Sequence, residues 1–243
     1  VLGSGPAVLL AQASTDIQGH WAEQVISRWV DRNIVDGYPD GTFKPNAPIR
    51  RAEFAALFNR TLGFITLSSI EFSDMSVDEW FATDVSKAVG AGYMDGYPDG
   101  TFRPNANISR QEAAMVLARI LGLEATDETF GFTDIETIPA WSLWAVVAVA
   151  NAGIMTGYPD GSFGPIDSFT RAETVTVLDR LVAEVFTEEG TYGDADEQTV
   201  IEGNVIITVG GVTLVNMHIT GNLLIAESVG DGAVTLQDVT VDG

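Results

Sequence analysis

The chain of 243 residues is 46% hydrophobic, carries a formal charge of −22 at pH 7 and contains no cysteine. Such an acidic chain is excluded from non-specific attachment to nucleic acid or anionic lipid, which clustered Lys and Arg would have to hold. Without thiols, disulfides, thiolate metal sites and cysteine nucleophiles are excluded too.

In chain order, Val1 to Ala13 is apolar and ends in Ala11-Gln12-Ala13. This fits the end of a secretory signal with its A-x-A cleavage site, or a flexible linker, and in either case it stands apart from the fold. No run approaches the roughly 20 apolar residues of a membrane helix, so no membrane insertion is expected.

The pentapeptide Gly-Tyr-Pro-Asp-Gly then occurs three times, at Gly37–Gly41, Gly96–Gly100 and Gly157–Gly161, each time followed by Thr/Ser-Phe-x-Pro. Its tyrosines are spaced by 97 − 38 = 59 and 158 − 97 = 61 residues, longer than common two-helix solenoid repeats. Each unit therefore has room for several elements. Pro fixes the second position of a turn, and Asp-Gly supplies an acceptor and a permissive backbone angle. The Tyr and the following Phe43, Phe102 or Phe163 are expected to pin this stiff loop to the core.

Before each pentapeptide runs a helical pattern, seen in Trp21, Val25, Ile26, Trp29 and Val30, which stops at Asn33, Gly92 or Gly153, residues that tolerate the left-handed conformation. The third such helix, Trp141 to Ala152, is apolar on nearly every side and predicts burial all round. From it the three first helices are expected to pack on one another in a shared core. After each pentapeptide a second helix starts. Ser109-Arg110-Gln111-Glu112 and Thr170-Arg171-Ala172-Glu173 match the capping box, whereas Arg50-Arg51-Ala52-Glu53 lacks the hydroxyl and predicts a fraying start.

With Phe72/Asp74/Trp80, Phe132/Asp134/Trp141 and Asp16/Trp21 as opening elements, and Arg51, Arg110 and Arg171 in the closing motif, each unit resembles an S-layer homology domain over Asp16 to about Phe186. The resemblance implies a mainly α fold, a pseudo-threefold trimer of three repeats around a central helix bundle. It further implies non-covalent anchoring of a secreted surface protein to secondary cell-wall polysaccharide, often bearing pyruvylated N-acetylmannosamine. No cofactor and no catalysis are expected, and self-association within a surface layer is implied as a further partnership.

The chemistry of such a site can be weighed on these residues. Arg offers a permanently charged, bidentate clamp for a carboxylate, and Trp offers a face to pyranose C–H groups. Each groove is expected to combine the Arg of one repeat with the Trp and Asp of a neighbour, giving Asp16, Trp21, Gly37, Arg51, Asp74, Trp80, Gly96, Arg110, Asp134, Trp141, Gly157 and Arg171 as carbohydrate-binding candidates. Structural readings stand beside this one. Each Trp could be a core residue, each Arg could pair with surrounding acids, and each Asp could be a turn acceptor. The copies also differ: Asp36 and Asp95 give way to Thr156, and Lys44 and Arg103 to Gly164, so unequal grooves are expected.

All twelve Lys and Arg lie between Arg28 and Arg180, leaving a purely acidic tail. From Thr199 it is rich in Val, Ile, Thr, Gly and Asn and repeats internally, Gly203-Asn204 returning at Gly221-Asn222 (221 − 203 = 18) and Gly211-Val212 at Ala233-Val234 (233 − 211 = 22). This predicts rungs of a parallel β-solenoid, making the whole α+β, and the pattern breaks off in a way expected of a longer protein. The expected divisions are 1–13, repeats at 14–65, 66–124 and 125–186, an acidic linker at 187–198, and solenoid at 199–243. Two alternatives remain: a polysaccharide-degrading solenoid with a carboxylate pair, or lattice-forming material. The acids could attract Ca²⁺, although no EF-hand spacing exists.

Overall fold

The computed structural model describes residues 15–125 and 130–243, and the signal-like stretch Val1 to Ala13 lies outside them. The described residues contain helices α1 (Glu23–Asp31), α2 (Arg51–Leu62), α3 (Ala82–Gly90), α4 (Arg110–Ile120), α5 (Ala140–Asn151) and α6 (Arg171–Leu181), two per repeat, followed by parallel strands.

Each first helix ends as its sequence predicts. Just beyond α1, α3 and α5, Asn33, Gly92 and Gly153 take left-handed φ values of 55°, 75° and 71°. The pentapeptide then closes a turn in which the Gly41, Gly100 and Gly161 amides donate to the Tyr38, Tyr97 and Tyr158 carbonyls at 2.9, 3.0 and 2.9 Å. Phe43, Phe102 and Phe163 are completely buried and hold that turn down, each contributing about 1.5–3 kcal/mol by burial.

The second helices begin with the caps the sequence requires. Ser109 and Thr170 hydroxyls accept the Glu112 and Glu173 amides at 3.4 and 3.2 Å, and the two carboxylates accept the Ser109 and Thr170 amides, both at 2.8 Å. At α2 only the return half exists, Glu53 accepting the Arg50 amide at 2.9 Å, because a guanidinium has no acceptor.

A second set of partners comes from the neighbouring repeat. The Arg51 and Ala52 amides donate to the Ala106 and Pro104 carbonyls, those of Arg110 and Gln111 to Asp167 and Pro165, and those of Arg171 and Ala172 to Ala47 and Pro45. Amides that a helix start leaves open are thus satisfied across repeat boundaries. Just before the helices, Ile49 donates to Phe169, Phe169 to Ile108 and Ile108 to Ile49, at 2.9, 2.9 and 3.1 Å, a closed cycle of three backbone hydrogen bonds.

Helix packing follows the same cycle and corrects one expectation. The first helices do not make their main contacts with one another; α3 packs on α2, α5 on α4 and α1 on α6. The apolar stripe of an amphipathic helix covers one neighbour, and the second helix of the adjoining repeat is the one on offer. The third first helix is nevertheless the most enclosed, with Ala145 to Ala150 all buried.

The tail consists of β1 (Glu184–Phe186), β2 (Gly190–Tyr192), β3 (Thr199–Ile201), β4 (Val205–Ile207), β5 (Val212–Ile219), β6 (Leu223–Ile225) and β7 (Val234–Val241). Every pairing is parallel. One sheet runs β1-β4-β6; in the other, β5 pairs with β2, β3 and β7. Val205 faces Leu223 and Val212 faces Val234, the 18- and 22-residue offsets of the sequence repeat. Pairing begins at Glu184, ahead of the composition change at Thr199, and β2 lies within the stretch read as an acidic linker. These two short strands carry no local alternation and are set by Val205–Ile207 and Val212–Leu214 across from them.

Leu181, Val182, Val185, Ile206 and Ala226 join the core of the repeats, so tail and repeats share one apolar interior. A smaller cluster around Phe186, Val212, Leu214 and Met217 fills the tail itself.

Candidate functional site: a groove between repeats

Each loop is fixed from below by the opening aspartate of its own repeat. Asp16 accepts the Phe43 and Lys44 amides at 2.8 and 2.7 Å, Asp74 those of Phe102 and Arg103 at 2.9 and 2.8 Å, and Asp134 those of Phe163 and Gly164 at 2.8 and 2.9 Å. Both oxygens of each carboxylate are thus engaged with backbone, and these aspartates hold loops. Gly157 is glycine because a Cβ there would stand 2.6 Å from the Ser162 carbonyl and 2.8 Å from the Phe132 ring; Gly96 is crowded in the same way by Phe72 and Thr101, and Gly37 occupies the equivalent place.

The loop is fixed from above by the arginine of the preceding repeat. Arg51 donates to the Phe102 and Asp95 carbonyls at 2.9 and 3.0 Å and lies 4.8 Å over the Tyr97 ring. Arg110 donates to the Phe163 and Thr156 carbonyls at 2.7 and 3.0 Å and lies 4.4 Å over Tyr158. Arg171 closes the series on repeat one, donating to Phe43 and Asp36 carbonyls at 2.8 and 2.9 Å. Arg51 and Arg110 are buried and also meet Glu112, at 3.6 Å, and Glu173. Arg171 is more open and forms no ion pair among the described residues. The three arginines therefore spend most of their donors on the fold.

Electrostatics follow the packing. Burial raises the Glu112 carboxyl, but donors from the Tyr97 hydroxyl and Ser109, with the nearby charge of Arg51, outweigh it and hold it below the usual range. Burial, helped by the bond to Glu112, pushes the Tyr97 hydroxyl up to about 12. Tyr158 is also raised, chiefly by burial.

The tryptophans behave differently. Trp21, Trp80 and Trp141 are 64, 62 and 51% exposed, which removes the core reading for all three. Trp21 reaches a groove of about 490 Å³ whose other walls are Arg110 from repeat two and Thr156, Tyr158 and Arg180 from repeat three. His20 orders its rim: Nδ1 accepts the Ala22 amide at 3.1 Å, so Nε2 carries the proton donated to Asn46 at 3.0 Å. Trp, Arg and the pentapeptide thus converge from three repeats.

Arg180 is the groove residue that sequence reasoning passed over. It holds the place in α6 that Arg60 and Arg119 hold in α2 and α4, and this recurrence was the available signal. Among the described residues no group of three or more His, Asp or Glu is placed to hold a metal ion, and no helix is long and apolar enough to cross a membrane.

Residues 15–55, 71–114 and 131–175 match the S-layer homology domain, together more than half of the chain. The chain belongs to the S-layer homology domain family. Among curated relatives, Cell surface glycoprotein 1 of Acetivibrio thermocellus is 34% identical over 61% of the chain and 7% of its own length. The Cellulosome-anchoring protein of the same species is 36% identical over 60% of the chain and 35% of its length. Exoglucanase XynX, also from Acetivibrio thermocellus, is 33% identical over 73% of the chain but 17% of its length. This S-layer homology chain therefore spans a small part of the relatives it matches.

Proposed function

We propose that the three S-layer homology repeats form a pseudo-threefold trimer around a central helix bundle, anchoring a surface protein non-covalently to cell-wall polysaccharide. The observation that carries this reading is the groove lined by exposed Trp21, Tyr158 and the guanidinium groups of Arg110 and Arg180. An indole face suits pyranose C–H groups, and guanidinium suits a carboxylate such as that of a pyruvylated amino sugar. Family membership and relatives named for the cell surface and for cellulosome anchoring support a location at the cell wall. Enzyme relatives such as XynX match over a small share of their length, which supports the repeats as a non-catalytic module carried by different proteins.

The parallel-stranded tail is read as rungs of a β-solenoid, a spacer or lattice element. The test is co-sedimentation of the chain with purified cell walls, native and stripped of secondary polymer. Binding to native walls alone is expected; equal binding to both overturns the reading, and release of reducing or unsaturated sugar would establish catalysis instead.

A further inference from the structure

Each second helix carries an arginine whose charge is met differently in the three repeats. Arg60 pairs with Asp36 at 3.0 Å and Arg119 with Asp95 at 2.7 Å. In repeat three the acid is replaced by Thr156; Arg180 donates to the Ile154 carbonyl at 2.9 Å and forms no ion pair among the described residues.

The tyrosines differ in parallel. Tyr38 has both Arg171 and Lys44 over its ring, at 4.8 and 4.2 Å, and Tyr97 has Arg51 and Arg103, at 4.8 and 3.9 Å. Lys44 and Arg103 are strapped in place by Asp40 at 3.1 Å and Asp99 at 2.7 Å. Among the described residues Tyr158 has Arg110 as its one cation, and beside Gly164 the Asp167 carboxylate approaches the ring where the other repeats place a second cation. Repeat three thus leaves Arg180 without an ion pair among the described residues.

We infer that, of the three repeat junctions, the groove walled by Trp21, Arg110, Tyr158 and Arg180 takes the anionic sugar, and that Thr156 is its specificity-determining residue. This rests on the glycan-anchoring reading above. Arg110 is balanced by Glu173, so Arg180 supplies the free charge. A ligand carboxylate would take up the place beside Arg180 that Asp36 and Asp95 fill beside Arg60 and Arg119. In those two repeats the built-in carboxylate competes with the ligand and repels it. The local cation is needed because a chain of charge −22 repels anions at long range.

The experiment is calorimetry on the 243-residue chain with the methyl glycoside of pyruvylated N-acetylmannosamine and with its neutral N-acetylmannosamine counterpart, beside wall co-sedimentation. One site per chain is expected, about tenfold tighter for the charged sugar, the scale of one charge-assisted hydrogen bond. Thr156→Asp, at an exposed position, is expected to remove that advantage while leaving the melting temperature unchanged. Asp36→Thr is expected to add a second site. Three equivalent sites, or undiminished binding by Thr156→Asp, would overturn the inference while leaving anchoring intact; so would walls bound without affinity for the charged sugar. Failure to bind native walls would sink the anchoring reading itself.

Discussion

Arg171, at the start of the last repeat's second helix, lies with its guanidinium carbon 4.8 Å from the ring centre of Tyr38 in the first repeat. The contact matches Arg51 on Tyr97 and Arg110 on Tyr158, but among the described residues Arg171 has no carboxylate partner. Truncating these arginines should therefore cost unequal stability. Arg110→Ala strands Glu173 and two carbonyls in a buried site and is expected to cost about 3 kcal/mol; Arg171→Ala, more open, about 1 kcal/mol. Urea midpoints falling in the order Arg110→Ala, Arg51→Ala, Arg171→Ala, lowest first, would bear this out, and equal midpoints would count against it.

The tryptophans should show the opposite profile. Trp21 is 64% exposed, so Trp21→Ala is expected to change stability by no more than about 0.5 kcal/mol. Wall binding should nevertheless drop. A loss of melting temperature comparable to that of Arg110→Ala would show that Trp21 supports the fold after all.

Helix α2 lacks the hydroxyl that caps α4 and α6, although its first amides are held by Ala106 and Pro104. Arg50 is exposed. Replacing it with Thr should supply the missing acceptor and raise stability by about 1 kcal/mol. Amide exchange at Glu53 should slow; faster exchange in the variant would refute the assignment.

Acid and alkali should unfold the chain for separate reasons. Thr42 and Thr101, with Lys44 and Arg103, hold Asp40 and Asp99 at about 2, and Ser162 lowers Asp160. Folded values below unfolded ones stabilise fully above the ordinary carboxylate range. That contribution is lost as pH falls from about 4 towards 2. The tyrosine shifts run the other way: Tyr97 at about 12 and burial-raised Tyr93 favour the fold below pH about 10 and lose that effect as pH rises towards 12. Melting temperature against pH should show a plateau between these limits, and a maximum confined to either side of it would contradict the assignment.

What could be read from the sequence was local. Asn33, Gly92 and Gly153 announce helix ends through their own backbone, and Ser109 and Thr170 announce caps through a neighbour three residues away. What could not be read depends on groups distant in sequence. Nothing near Arg110 tells that its guanidinium turns to the Thr156 and Phe163 carbonyls, and nothing near Glu184 tells that it pairs with Val205. The meaning of Arg180 depends on the acid missing at Thr156, a side chain in another element. Repetition showed that these positions correspond, but correspondence alone did not separate fold from function.

The tail meets both the last repeat and the first. Strand β1 follows directly from α6, while Glu227 accepts the Ile65 and Thr66 amides at 3.1 and 3.2 Å and the Ser228 amide reaches the Gly63 carbonyl at 3.1 Å. Gly63 has no room for a Cβ, which would stand 2.5 Å from Ala226. A mechanical pull on the tail would thus enter the first and last repeats together, on both sides of the seam that Arg171 and Tyr38 close. Shear would be shared across that seam, and the tether would not peel away one repeat at a time.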